Sequence, residues 1–306
     1  RAFKMVADGA GFKREGDHVP IQGLGWQVLT STFGPDGRLF FTLWKPRGNR
    51  SQLWALQGQK ETTEMAEVKA LLAKGFSSYK VDQLLSFLGH ADRRIRLQSQ
   101  FDLVARKETK SLRAKAIDSK AALLPRLHAL WGLGQLKARD RDLLKLICQD
   151  KDAEMRAQAA RWAGDLGFDP DNLVPDLLRD PSPRVRLMAG IACGKLMSKD
   201  ALEPLSKLIV DAGNKETVLR HAGIFGLAGA ASPRELKSLS EHSSEALRIA
   251  AVVALRRQGA FDELTAFLND ASPQVMSDAM RAIYDEASPQ TFNDHPNVLT
   301  ALATSL

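Results

Sequence analysis

One motif is written about seven times along this chain, and that periodicity restricts the fold more than any other property. An arginine early in a helical segment recurs at Arg96, Arg126, Arg156, Arg186, Arg220 and Arg248, with Met276 in the seventh position. The successive spacings are 30, 30, 30, 34, 28 and 28 residues. Three residues after this marker every repeat has a small side chain, Ser99, Ala129, Ala159, Ala189, Gly223, Ala251 and Ala279. Seven residues after it stand Leu103, Leu133, Ala163, Cys193, Leu227, Leu255 and Ile283, and one before it Ile95, Pro125, Met155, Val185, Leu219, Leu247 and Val275. Offsets of minus one, plus three and plus seven share one face of an α-helix, so each repeat carries a core stripe with a small residue where two backbones are expected to approach.

Four residues before the marker, Asp92, Asp152, Ser182, Ser244 and Ser272 are side chains that cap a helix start, and Pro183 and Pro273 suit its first turn. A second apolar helix precedes each cap, as in Asp142 to Ile147 and Leu202 to Val210. The unit is therefore two antiparallel helices and a turn. Stacking such units predicts a mostly α protein, a right-handed α-solenoid of about seven helix pairs over residues 61–306.

Residues 1–60 read differently. Trp26 to Phe33 and Arg38 to Trp44 are rich in β-branched and aromatic residues around the turn Gly34-Pro35-Asp36-Gly37, and Gln52 to Leu56 follows the polar loop Lys45 to Ser51. These predict a small antiparallel β meander. Its aromatic content exceeds what three strands bury alone, so it is expected to pack on something else. The stretch Gly23 to Trp26 reads as a turn into a strand.

The 306 residues carry 43 basic and 36 acidic side chains, a formal charge of +7. Of these, 21 basic and 12 acidic fall in residues 1–120, which leaves 22 against 24 beyond, so the later repeats are nearly neutral. The excess peaks between Arg93 and Lys120, a stretch read as a solvated loop with a phosphate backbone as the alternative partner. No apolar run is long enough to span a membrane. The first residues resemble neither a signal peptide nor a start, and read as a processed or truncated end.

Chemistry is sparse. The six histidines show no metal-ligand spacing. Cys193 sits in the core column and Cys148 in an apolar run, which suits buried inert thiols. Asp169-Pro170-Asp171-Asn172 supplies too few oxygens for calcium and reads as a helix cap. No catalytic, metal or cofactor-binding residue is assigned. The column five after the marker mixes aromatic and cationic residues, among them Trp131, Phe225, Arg161 and Arg281, with Trp162 one position later in its own repeat. Arg94, Trp131, Arg161 and Arg281 are the candidate partner-binding residues.

The columns resemble HEAT repeats, in which an aspartate near the turn and an arginine early in the second helix form a ladder. Asp150 with Arg156 and Asp180 with Arg186 fit it. Leu84 to Arg106 and Arg126 to Leu136 resemble the helical region of large exported membrane-bound dehydrogenases of planctomycetes, and Gly34 to Trp44 with Ser51 to Leu56 resembles the last propeller strands before that region. The resemblance implies export to the periplasm or a membrane-associated site, and a scaffold beside a sugar-dehydrogenase-like propeller and a cytochrome c domain. Leu43 stands where those propellers usually have Asp, and the haem-attachment signature is absent. Three readings follow: an interaction scaffold for a protein partner or adjoining domain, a module of a redox enzyme with a cytochrome partner, and a nucleic-acid-binding array.

Overall fold

A computed structural model describes residues 2–8, 11–18, 27–34, 36–44, 51–56, 61–286 and 295–305. The expected turn at Gly23 to Trp26, the strand start at Trp26, Pro35 and most of the loop after Trp44 lie outside these residues. The chain falls into two compact units: Lys13–Ala138 with Arg1–Val6, and Arg139–Leu306 with Ala7–Phe12. The last of the described strands ends at Leu56 and the first helix begins at Thr63, whereas the division between compact units comes after Ala138.

The strands open the chain. β1 (Ala2–Asp8) and β2 (Gly11–His18) form a two-stranded sheet that lies ahead of the expected meander. The meander is present as β3 (Gln27–Phe33), β4 (Leu39–Trp44) and β5 (Ser51–Leu56), antiparallel in that order, with Ser31 opposite Phe41 and Phe41 opposite Trp54. Phe41 and Leu43 on the central strand are buried, while the described side chains of both outer strands are exposed.

The first unit continues with α1 (Thr63–Lys74), α2 (Val81–Phe87), α3 (Arg93–Ala105), α4 (Thr109–Ile117) and α5 (Leu123–Gln135). The basic stretch from Arg93 to Lys120 thus lies mostly on α3 and α4 and is not a loop. Arg106 shows why it can be: it pairs with Asp102 and donates to the carbonyls of Ser77 and Tyr79, both at 2.8 Å.

The second unit contains α6 (Arg141–Cys148), α7 (Ala153–Leu166), a 3₁₀ turn (Pro175–Arg179), α8 (Pro183–Leu196), α9 (Leu202–Ala212), α10 (Thr217–Ala230), α11 (Pro233–Ser238), α12 (Glu245–Gln258), α13 (Phe261–Leu264), α14 (Pro273–Glu286) and α15 (Pro296–Ser305). Repeat pairing runs α2 with α3, α4 with α5, α6 with α7, the 3₁₀ turn with α8, α9 with α10, α11 with α12 and α13 with α14. The protein is mostly helical and repeat-like, with a small antiparallel sheet near its start.

Burial follows the repeat columns. All the small residues at plus three and all the apolar residues at plus seven are buried, and at minus one only Pro125 is partly exposed. The closest backbone approach lies elsewhere than expected. A Cβ on Gly223, at plus three, would meet Ile209 of the partner helix in the same repeat, whereas a Cβ on Gly194 of α8 would run into the Phe225 carbonyl of α10. The small column therefore seats the first helix of its own pair, and contact between successive second helices falls one to two positions around the cylinder. Caps form at Asp92 and Asp152 by accepting from the backbone N–H two residues on, and at Ser244 from Leu247. Ser182 occupies a cap position without a side-chain bond; its own N–H donates to Asp180 at 2.8 Å.

Candidate functional site

One geometry repeats in four of the six marker arginines. Nη1 of each of the four donates to two carbonyls of its own inter-helix turn, six and five residues back: His90 and Ala91 for Arg96, Asp150 and Lys151 for Arg156, Asp180 and Pro181 for Arg186, His242 and Ser243 for Arg248. In two rungs of the second unit the opposite edge of the guanidinium reaches the next repeat. Arg156 grips Asp180 at 2.7 and 2.9 Å, and Arg248 grips Asp270 at 2.7 and 3.0 Å. The ion pair therefore joins Arg156 to Asp180; the sequence pairs Asp150 with Arg156 and Asp180 with Arg186 meet through the aspartate carbonyls. Both gripped carboxylates have lowered pKa values: burial pushes them up, and the arginine bonds and the Ser182 or Ser272 amide outweigh it.

Two histidines fill the aspartate position of this turn. His90 Nδ1 accepts from Asp92 N–H at 2.9 Å and His242 Nδ1 from Ser244 N–H at 3.0 Å, the bond that Asp150, Asp180 and Asp270 make in their own turns. The sequence signal was available, because both lie six residues before a marker.

The four candidate binding residues divide between the units. Arg94 is engaged internally, paired with Asp92 at 2.7 Å and donating to the carbonyls of Phe33 and Gly34 in the β3–β4 turn. Trp131, half-buried on α5, sets its ring edge-to-face against His128 at 4.9 Å. Arg161 and Arg281 are exposed on α7 and α14. Each belongs to a cation–carboxylate–cation triad: Arg161 and Lys195 share Asp165 at 3.4 and 2.5 Å, and Arg281 and Arg256 share Asp285 at 3.3 and 3.4 Å.

Arg161 and Arg281 close a stripe. In the second unit α7 packs on α8, α8 on α10, α10 on α12 and α12 on α14. The plus-five residue of each helix in turn is Arg161, Ile191, Phe225, Val253 and Arg281, exposed at both ends and half-buried in the middle. The Arg257 guanidinium lies 5.8 Å from the Phe225 ring centre, bridging α12 to α10. The arrangement is an apolar centre flanked by two triads, each carrying one net positive charge.

A polar network that the sequence reading left unassigned lies between α3 and α5. Arg96 Nε donates to His128 Nε2 at 3.1 Å, His128 Nδ1 meets Gln100 Oε1 at 2.7 Å, and Gln100 donates to Gln135 at 3.1 Å. Accepting at Nε2 fixes the Nδ1–H tautomer. Burial together with the charges of Arg96 and Arg93 pushes the His128 pKa down to about 4. Cys148 and Cys193 are buried, and burial raises both thiols to about 12, which leaves no reactive thiolate at neutral pH. Asp169 accepts from the amides of Leu173 and Val174, both at 2.9 Å. Among the described residues no cluster of three metal-ligating groups occurs, and no helix is long and apolar enough to cross a membrane.

The second unit also holds a cavity of about 450 Å³ between the 3₁₀ turn, α9 and the start of α10, with apolar walls from Leu178, Pro204, Leu208 and Leu219 and with Arg186 in its lining.

Residues 141–228 match the family described as HEAT repeats. No curated protein matches the chain. Among solved structures it is similar to an engineered protein (14% identity, 67% of this chain and 95% of that one, TM-score 0.34). It is also similar to human deoxyhypusine hydroxylase in complex with glycerol (19%, 74% and 94%, TM-score 0.32). A designed armadillo repeat protein in complex with the peptide (KR)4 is a third (17%, 67% and 99%, TM-score 0.31).

Proposed function

We propose that this chain is a non-catalytic repeat scaffold whose second unit binds a polypeptide along the stripe from Arg161 to Arg281. The observation that carries the reading is the composition of that stripe: Ile191, Phe225 and Val253 at its centre with a net-positive triad at each end. Half-exposed aromatic and arginine side chains are the usual anchors of such contacts, and the charge pattern favours an extended segment with apolar residues between acidic ends. Selection of a displayed peptide library on the chain tests it. Enriched sequences should combine Asp or Glu with apolar residues, and an enrichment without acidic residues refutes the reading. The nucleic-acid alternative draws little support, because Arg94, Arg96 and Arg106 of the basic stretch are spent on carboxylates, carbonyls and His128.

A second reading rests on the meander. Val28, Leu29, Phe33, Leu53, Trp54 and Leu56 are exposed on β3 and β5, Leu53 by 69%. Such a surface suits burial against a further sheet, as in the propeller of an exported dehydrogenase-like protein with a cytochrome partner. The chain alone should then bind the apolar dye ANS at this surface, and Leu29→Ser with Leu53→Ser should remove most of that fluorescence. Unchanged fluorescence in the double variant counts against the idea.

A further inference from the structure

Arg186 stands in the ladder without a carboxylate on its outer edge. In the complete rungs, Nε and Nη2 take the two oxygens of one carboxylate, Asp180 for Arg156 and Asp270 for Arg248. Arg186 makes only the other half of the pattern, donating from Nη1 to the carbonyls of Asp180 and Pro181 at 2.8 and 3.1 Å. Among the described residues nothing accepts from its Nε or Nη2. The sequence explains the gap. The acid of the next turn stands six residues before the next marker; here that residue is Asn214, and the interval to Arg220 is 34 residues instead of 30 or 28. Asn214 turns its carbonyl oxygen to Nη1 of Arg220 instead.

Arg186 also lines the 450 Å³ cavity, whose size is that of a small-ligand site. The other cations of the lining are occupied, Arg179 by Glu203 and Lys207 by Asp211, both at 3.0 Å. Glu216 also lines the cavity and forms no ion pair with Arg186. We propose that this cavity binds a carboxylate borne on a short branched apolar chain, its two oxygens on Nε and Nη2 of Arg186 and its chain against Leu178, Pro204, Leu208 and Leu219. The bound group takes the place that Asp180 and Asp270 hold on the complete rungs, where the planar fork of arginine matches the carboxylate. It arrives either as a free carboxylic acid or as an acidic side chain beside a leucine on a polypeptide. The site is separate from the stripe and does not depend on it.

The test is a calorimetric titration of the full chain with 4-methylpentanoate and its neutral amide, and with the blocked tripeptides Leu-Asp-Leu and Leu-Asn-Leu. At least one carboxylate should bind tenfold or more tightly than its neutral counterpart, and whichever carboxylate binds better identifies the source. Arg186→Gln should erase the preference, and Arg186→Lys, which keeps the charge but not the fork, should reduce it to threefold or less. Glu216→Gln should strengthen binding, and Arg161→Gln should leave it unchanged. Equal binding of acid and amide, no binding of either carboxylate, or a preference that survives in Arg186→Gln or Arg186→Lys would each overturn the proposal.

Discussion

Arg156 shows how much one side chain does in a repeat protein. Its guanidinium closes its own turn through two carbonyls and ties that turn to the next through Asp180, while Asp180 also accepts from Ser182 N–H. Asparagine in its place keeps one acceptor oxygen but loses the charge and the second oxygen, so the arginine's Nε and Nη2 and the serine amide can no longer all be satisfied. Asp180→Asn and Asp270→Asn should therefore each cost on the order of 2 kcal/mol in denaturant unfolding. The pH dependence follows from the same bonds. Both carboxyls titrate below their ordinary value of 3.8 when folded, so their stabilisation is present above that pH and is lost as the pH falls below it. The double Asn variant should lose that part of the acid slope. His128 acts in the opposite window. Unfolded, it takes a proton near pH 6.5, and folded it resists to about 4, so the unfolded state binds the extra proton in between and stability falls as pH drops through that range. His128→Gln, which can still offer an acceptor to Arg96, should flatten the thermal midpoint between pH 6.5 and 4. The arginine and aspartate columns were legible from spacing alone; which aspartate each arginine grips was not, because the partner lies 22 or 24 residues away across a packing contact.

Helix against helix, α8 and α10 show why small residues recur. A Cβ on Gly229 would sit 2.1 Å from the Gly194 carbonyl oxygen, closer than any real contact. Gly229→Ala should push the two helices apart and cost 2 kcal/mol or more, read as a drop in thermal midpoint. An unchanged midpoint would mean that the helices do not meet there. The helical phase of the core was readable, since period and residue size both point to one face, yet the sequence placed the close approach at plus three. Periodicity reports which face is buried and not which neighbour buries it. A related reason makes the basic stretch hard to read: charge density in Arg93 to Lys120 suggests a loop, whereas Arg94, Arg96 and Arg106 find carbonyl and histidine partners that lie far away in sequence.

For the whole molecule, the ladder accounts for the arginine, aspartate and turn histidines and leaves the plus-five column free of that work. The mixed aromatic and cationic character of this column was visible in the sequence; the triads that bind Arg161 to Lys195 and Arg281 to Arg256 through shared aspartates were not. The cavity beside Arg186 was foreshadowed only by the one long interval in the repeat and by Asn214 in an aspartate position. The central claim is that holding the fold and binding a partner are assigned to different columns. Its most direct test is a fluorescence titration of a library-selected acidic and apolar peptide against the triple variant Arg161→Ala, Phe225→Ala, Arg281→Ala, with circular dichroism recorded alongside. The variant should keep native helicity and bind at least thirtyfold more weakly, about 2 kcal/mol; unchanged affinity with native helicity would contradict a binding role for this column.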